Sequence, residues 1–121
     1  MSQKIVHLAA LDSTSTSIKA SECQKYLASG TRNGKVKLYL VDELLDDIYL
    51  EHFDIHEDKV IDIAFLPKNS DDLMITVSQD GFMKICSTLE LKEIYKIDTR
   101  CQPERVITFK EHTIVMLCVD H

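Results

Sequence analysis

The chain has no tryptophan, and its 121 residues include only three glycines and two prolines. The glycines stand singly, so there is no glycine-rich phosphate loop and no nucleophile elbow. No apolar run approaches the roughly 20 residues a helix needs to span a bilayer. Met1-Ser2-Gln3-Lys4 leads into a short apolar-leaning stretch, Ile5 to Leu11, and then into Ser and Thr, which is not the pattern of a secretory signal. No Cys-x-x-Cys occurs, and Cys23, Cys86, Cys101 and Cys118 lie far apart in sequence. With no secretory signal beside them, they read as reduced thiols in a cytoplasmic or nuclear protein. Positive charge is also short: 14 basic against 20 acidic side chains give a net charge of −6. That balance disfavours phosphate backbones and anionic lipid as partners.

Apolar residues are plentiful, at 45% of the chain, enough to bury the core of one ordinary domain. Their spacing is that of strands. Lys35 to Val41 alternates, with Val36, Leu38 and Leu40 on one face and Lys37 and Tyr39 on the other. Val60 to Asp98 holds four short apolar segments parted by turn signals. Asn33-Gly34 and Asp80-Gly81 are hairpin signals, because Gly supplies the positive φ such turns need. Further strands are expected at Lys4 to Leu11, Ile18 to Ser21, Lys25 to Thr31, Ile48 to Ile55, Arg105 to Phe109 and Thr113 to Val119. Asp12 to Ser17 and Asp98 to Pro103 read as connections, and no segment of useful length has helical periodicity. The expected fold class is all-β and antiparallel.

The pieces repeat. Tyr26 to Val41 lies over Leu73 to Thr88 without a gap, with Asn33-Gly34 on Asp80-Gly81. Thr113 to His121 begins a third copy, with Asp120 on Asp80. Repeats of about 40 to 45 residues with four strands each are the signature of propeller blades.

On these residues the chain resembles the WD-repeat β-propeller family. His56 stands at the position of the Gly-His histidine, with Ile55 in place of the Gly. Asp80 and Asn33 hold the turn position, and Ser29, Thr31, Thr76 and Ser78 are candidates for the strand hydroxyl. Tyr39 and Cys86 occupy the Trp position, and Leu40 and Ser87 the Asp that follows it, so the defining Trp-Asp pair is missing from both copies. The resemblance implies blades over residues 16–57 and 58–99, and the first two strands of another over 100–121. Residues 1–15 would form an N-terminal strand and linker. Closed propellers have typically 4 to 8 blades, so the chain is expected to be part of a ring. A longer chain, a second chain or self-association would complete it.

The implied function is a non-catalytic scaffold for protein complexes, with no cofactor and no metal. His56, Thr76, Ser78, Asp80, Gly81, Ser29, Asn33 and Gly34 would then hold the blades together. The partner-binding candidates are loop residues: Arg32, the acidic Asp42, Glu43, Asp46 and Asp47, and Asp71 and Asp72. Eight acidic residues and no Lys or Arg lie between Asp42 and Asp58, a pattern that steers a basic segment or else simply solvates a face. Two rival readings stand beside this one. A small all-β enzyme would use His56, His112 or Cys101, the last activated by the adjacent Arg100. A free-standing β-sandwich would make the repeats coincidental. His52 and His56 have the spacing of a helical metal pair but fall on a strand and a loop.

Overall fold

The structure is a computed structural model that describes residues 15–21, 25–42, 47–68, 71–90, 92–110 and 113–119. All its elements are strands: β1 (Ser15–Ala20), β2 (Tyr26–Thr31), β3 (Lys35–Asp42), β4 (Asp47–Asp54), β5 (Val60–Lys68), β6 (Asp71–Ser78), β7 (Phe82–Ser87), β8 (Lys92–Asp98), β9 (Gln102–Phe109) and β10 (Thr113–Val119). Strands β1 to β4 form one antiparallel sheet in sequence order, β5 to β8 a second, and β9 and β10 a hairpin. The strand expected at Lys4 to Leu11 lies outside the described residues.

The repeat seen in sequence is a repeat of register. Leu27 opposes Tyr39 in the first sheet, and their counterparts Met74 and Cys86 oppose each other in the second. The turn glycines Gly34 and Gly81 have φ of 85° and 89°. A bulge also recurs. The ladder skips one residue between Ser15 and Ser17, between Val60 and Asp62, and again where Pro103 and Arg105 face Cys118 and Leu117. A bulge twists and bends its strand, so the same one at the start of β1, β5 and β9 gives the three sheets a common shape.

Alternation then sets the packing. Ala28, Val36, Leu38 and Phe53 on one face of the first sheet meet Val60, Ile63, Phe65, Met74 and Cys86 on the second, forming one apolar core. Ala64, Leu66, Ile75, Val77 and Met83 point the other way and meet Val106, Ile114 and Met116 of the hairpin in a second core. The innermost strands β1, β5 and β9 contact one another in that order. Hydroxyls on these strands join them: Thr16 Oγ1 donates to the Val60 carbonyl at 2.6 Å, and Thr108 Oγ1 to the Phe65 carbonyl at 2.9 Å. The Asp62 carboxylate accepts the Val106 N–H at 2.9 Å. The outward face of the hairpin meets nothing described, and Ile107, Phe109, Val115, Leu117 and Val119 on it are exposed.

Three expectations are corrected. Strand β1 starts at Ser15, not Ile18, because Ser15 and Thr16 find hydroxyl and carbonyl partners in β2 and β5. Strand β9 starts at Gln102, so Pro103 lies inside it, beside the bulge where the ladder is already irregular. The cysteines are not all reduced, since Cys101 and Cys118 form a disulfide with their Cα atoms 6.1 Å apart.

Candidate functional site

His56, Thr76 and Asp80 come together between the first two sheets. His56 sits in the β4–β5 connection, Thr76 in the middle of β6 and Asp80 in the β6–β7 turn. The His56 side chain is 0% exposed. Its Nδ1 lies 2.9 Å from Asp80 Oδ2 and its Nε2 2.7 Å from Thr76 Oγ1. A carboxylate only accepts, so Nδ1 carries the proton and donates it to Asp80. In the neutral ring, Nε2 then accepts the Thr76 O–H. Burial lowers the His56 pKa below the usual 6.5, against the opposing pull of Asp80, so the ring is neutral at pH 7.

Asp80 is engaged on both oxygens. Oδ1 accepts the Phe82 N–H at 3.0 Å, and Oδ2 also accepts the Glu57 N–H at 3.2 Å. Burial alone would raise its pKa, but the Phe82 N–H, His56 and the Glu57 N–H outweigh that and hold it below the usual 3.8. The adjoining Ser78 Oγ donates to the Asp58 carbonyl and accepts the Asp80 N–H, both at 3.1 Å. The described polar atoms of His56 and Asp80 are thus directed at each other, at the Thr76 hydroxyl and at the Phe82 and Glu57 N–H groups.

Lys84, which sequence reasoning passed over, completes the arrangement. Its Nζ donates to the Ile55 carbonyl and lies 3.0 Å from Glu93. The available signal was a lone charged residue in the middle of the apolar run Phe82 to Ser87. Cys86, where the family has Trp, packs beside Met74 and Phe65. Burial, with Glu93 nearby, pushes its thiol up to about 12, so it holds no thiolate at neutral pH.

The first sheet repeats part of this plan, with no described histidine against Ser29. Ser29, the counterpart of Thr76, is buried and donates to Ser15 Oγ at 3.0 Å. Thr31, the counterpart of Ser78, donates to Asn33 Oδ1 and accepts the Lys35 N–H at 3.0 Å. Gly34 offers its carbonyl to the N–H groups of both Ile55 and His56, at 3.3 and 2.9 Å. Gly81 offers its own to the Thr99 N–H at 2.9 Å.

The partner-binding candidates divide between two ends of the sheets. Asp42 opposes Asp47 at one end of the first sheet; Asp71 and Asp72, expected in a loop, instead open β6 opposite Lys68 and Pro67, at the β5–β6 end of the second sheet. Arg32, Asn33, Glu57 and Asp58 are exposed at the opposite end. Eight residues of β4 separate the two groups, about 26 Å at strand rise, so the acidic run is not one patch. Glu43 and Asp46 lie outside the described residues.

The two described groups of the enzymatic reading are both engaged elsewhere. His56 is buried, Cys101 is bonded to Cys118, and His112 lies outside the described residues. His52 is exposed on β4 and does not converge with buried His56. An open groove of about 210 Å³ between β1, β5 and β9 has Lys19 as the one ionisable residue among its described lining residues.

No family model and no curated protein sequence matches the chain. Solved structures do. The RRP9 WD40 repeats superpose with a TM-score of 0.69 at 19% identity, over 83% of this chain and 29% of that one. The Myceliophteria thermophila Cps50 (Swd1) β-propeller domain gives a TM-score of 0.73 at 12% identity, over 93% of this chain and 35% of that one. The chain therefore spans about a third of the length of the propellers it matches. With its antiparallel four-stranded sheets stacked face to face, it has the fold of a WD-repeat-like β-propeller, and of a part of one.

Proposed function

We propose that the chain is a non-catalytic protein-interaction scaffold that works within a larger complex as part of a propeller. The observation that carries this reading is the uncovered apolar face of β9–β10, with Ile107, Phe109, Val115, Leu117 and Val119 exposed side by side. The opposite face of the same hairpin is buried against the second sheet. A strand pair with one face packed and a second, largely apolar face open calls for another sheet. A longer chain or a second chain would supply it, and the completed rims would present loops to partners. His56 and Asp80 serve that architecture as a clasp, along with Thr76, Ser78 and the turn residues Asn33, Gly34 and Gly81.

The test is the native mass of the chain by light scattering on a sizing column. The chain is expected to self-associate, and Val115→Lys with Leu117→Lys to give a monodisperse monomer. A wild-type chain that stays monomeric with a sharp melt would contradict the reading and favour a self-contained β domain.

The acidic end gives a second expectation. A basic segment docking there would lose affinity roughly tenfold on charge reversal of Asp47 and Asp72, at a little under 1 kcal/mol for each charge. The salt dependence of binding would flatten with it. Arg32→Glu, at the opposite end, would leave that affinity unchanged. Titration calorimetry with an oligolysine peptide at two salt concentrations measures both, and equal affinities for wild type and reversal would remove Asp47 and Asp72 from the account.

A further inference from the structure

The disulfide occupies a position that the neighbouring sheet fills with a hydrogen bond. Ser78 ends β6 opposite Val60, next to the β5 bulge. Cys118 lies opposite Pro103, next to the equivalent bulge of the hairpin. Asp58 stands two residues before Val60, and Cys101 two before Pro103. In the second sheet, Ser78 Oγ donates to the Asp58 carbonyl at 3.1 Å, which ties the strand end to the incoming connection. In the hairpin the same two positions are tied by the Cys101–Cys118 bond.

The surroundings suit a bond that opens and closes. Both half-cystines are only half-buried. The connection that carries Cys101 is held independently of the bond: the Thr99 hydroxyl lies between the Gly81 carbonyl at 2.9 Å and the Cys101 carbonyl at 3.1 Å, the Thr99 N–H donates to the Gly81 carbonyl at 2.9 Å, and Asp98 Oδ1 accepts the Arg100 N–H at 2.9 Å. Arg100, with φ of 54°, precedes Cys101 directly. Cys86 is a poor competitor, being buried with its thiol pushed up to about 12.

We infer that Cys101 and Cys118 form a redox latch on the third repeat, a covalent and reversible substitute for the hydroxyl clasp of the second. Closing it takes two electrons and two protons from the two thiols. Glutathione disulfide accepts them through a mixed disulfide and leaves as two glutathione thiols. A dithiol reductant reverses the step and is itself oxidised to a disulfide. Opening the latch frees the Cys118 end of β10, the edge of the exposed apolar face. The bond closes a short loop, so its loss releases chain entropy at that end alone.

The experiment compares the full chain equilibrated in glutathione disulfide with the chain in dithiothreitol, by alkylation mass mapping and amide hydrogen exchange. The oxidised chain is expected to carry a Cys101–Cys118 peptide, with Cys86 unlabelled until denaturant is added. Reduction is expected to speed exchange at the Cys118 end of β10 by at least tenfold and leave β6 unchanged. Cys118→Ser installs the residue found at position 78, so it is expected to fold and to exchange identically in both buffers. Free Cys101 and Cys118 thiols in glutathione disulfide, a bridge from either to Cys23, or equal β10 exchange in both states of the wild type would each overturn the latch.

Discussion

Gly34→Ala is expected to destabilise the chain by roughly 4 kcal/mol or more, in the range of exceptional single substitutions. Gly81→Ala, at the matching position of the next repeat, is expected to cost only about 1–2 kcal/mol. Both residues have positive φ, so both substitutions meet the left-handed backbone penalty. The difference lies in what surrounds them. A Cβ on Gly34 would stand 2.0 Å from the His56 carbonyl oxygen and 2.7 Å from its carbonyl carbon, whereas a Cβ on Gly81 would meet nothing within 4 Å. The obstruction at Gly34 is backbone, which cannot turn aside as a side chain does. Moving the turn away would also loosen the two hydrogen bonds that Gly34 accepts from Ile55 and His56. Urea unfolding of the two variants measures the gap. Equal losses would mean that the β2–β3 turn does not press on the β4–β5 connection.

His56→Asn is the second large effect, expected at about 2–3 kcal/mol from the Thr76 hydroxyl and the Asp80 oxygen left without the ring. Its pH dependence separates it from an ordinary core substitution. The folded-state pKa of His56 lies below the unfolded value of 6.5. In the window between them the unfolded chain binds the extra proton, so stability rises with pH. The contribution is complete above pH 6.5 and is lost as pH falls from there through the folded value. Asp80, also lowered, contributes above its ordinary 3.8 and loses that contribution as pH falls through its folded value. Both groups therefore make the chain weaker in acid. Stability curves of wild type and His56→Asn are expected to converge as pH falls below 6.5. A constant gap between them at every pH would show that the imidazole does not titrate with folding.

Much of the fold is legible in the residues. Alternation in Lys35 to Val41 and in Val60 to Phe65, with the two Gly turns, marks strands that the structure places within one or two residues. The ungapped repeat carries the register itself, since Leu27 with Tyr39 and Met74 with Cys86 pair alike. His56 with Asp80 came from the family resemblance, because spacing alone does not bring a loop to a turn across two strands. The rest depends on contacts that only the folded register shows. Ser15 and Thr16 read as a linker because polar side chains usually meet water, yet their hydroxyls bond to β2 and β5. The Cys101–Cys118 bond needed the bulge register to be visible. The acidic run looked continuous because sequence does not show which end of a strand each loop occupies.

We propose that His56 is a closed structural clasp rather than an acid–base centre. The most direct measurement is the ¹⁵N chemical shifts of its imidazole in the folded chain, followed by NMR from pH 8 down to 5. The expected result is a neutral ring protonated on Nδ1, with Nε2 as acceptor, whose midpoint for gaining a second proton lies below pH 6.5. A ring protonated on Nε2, or one titrating at or above 6.5 like an exposed histidine, would contradict it.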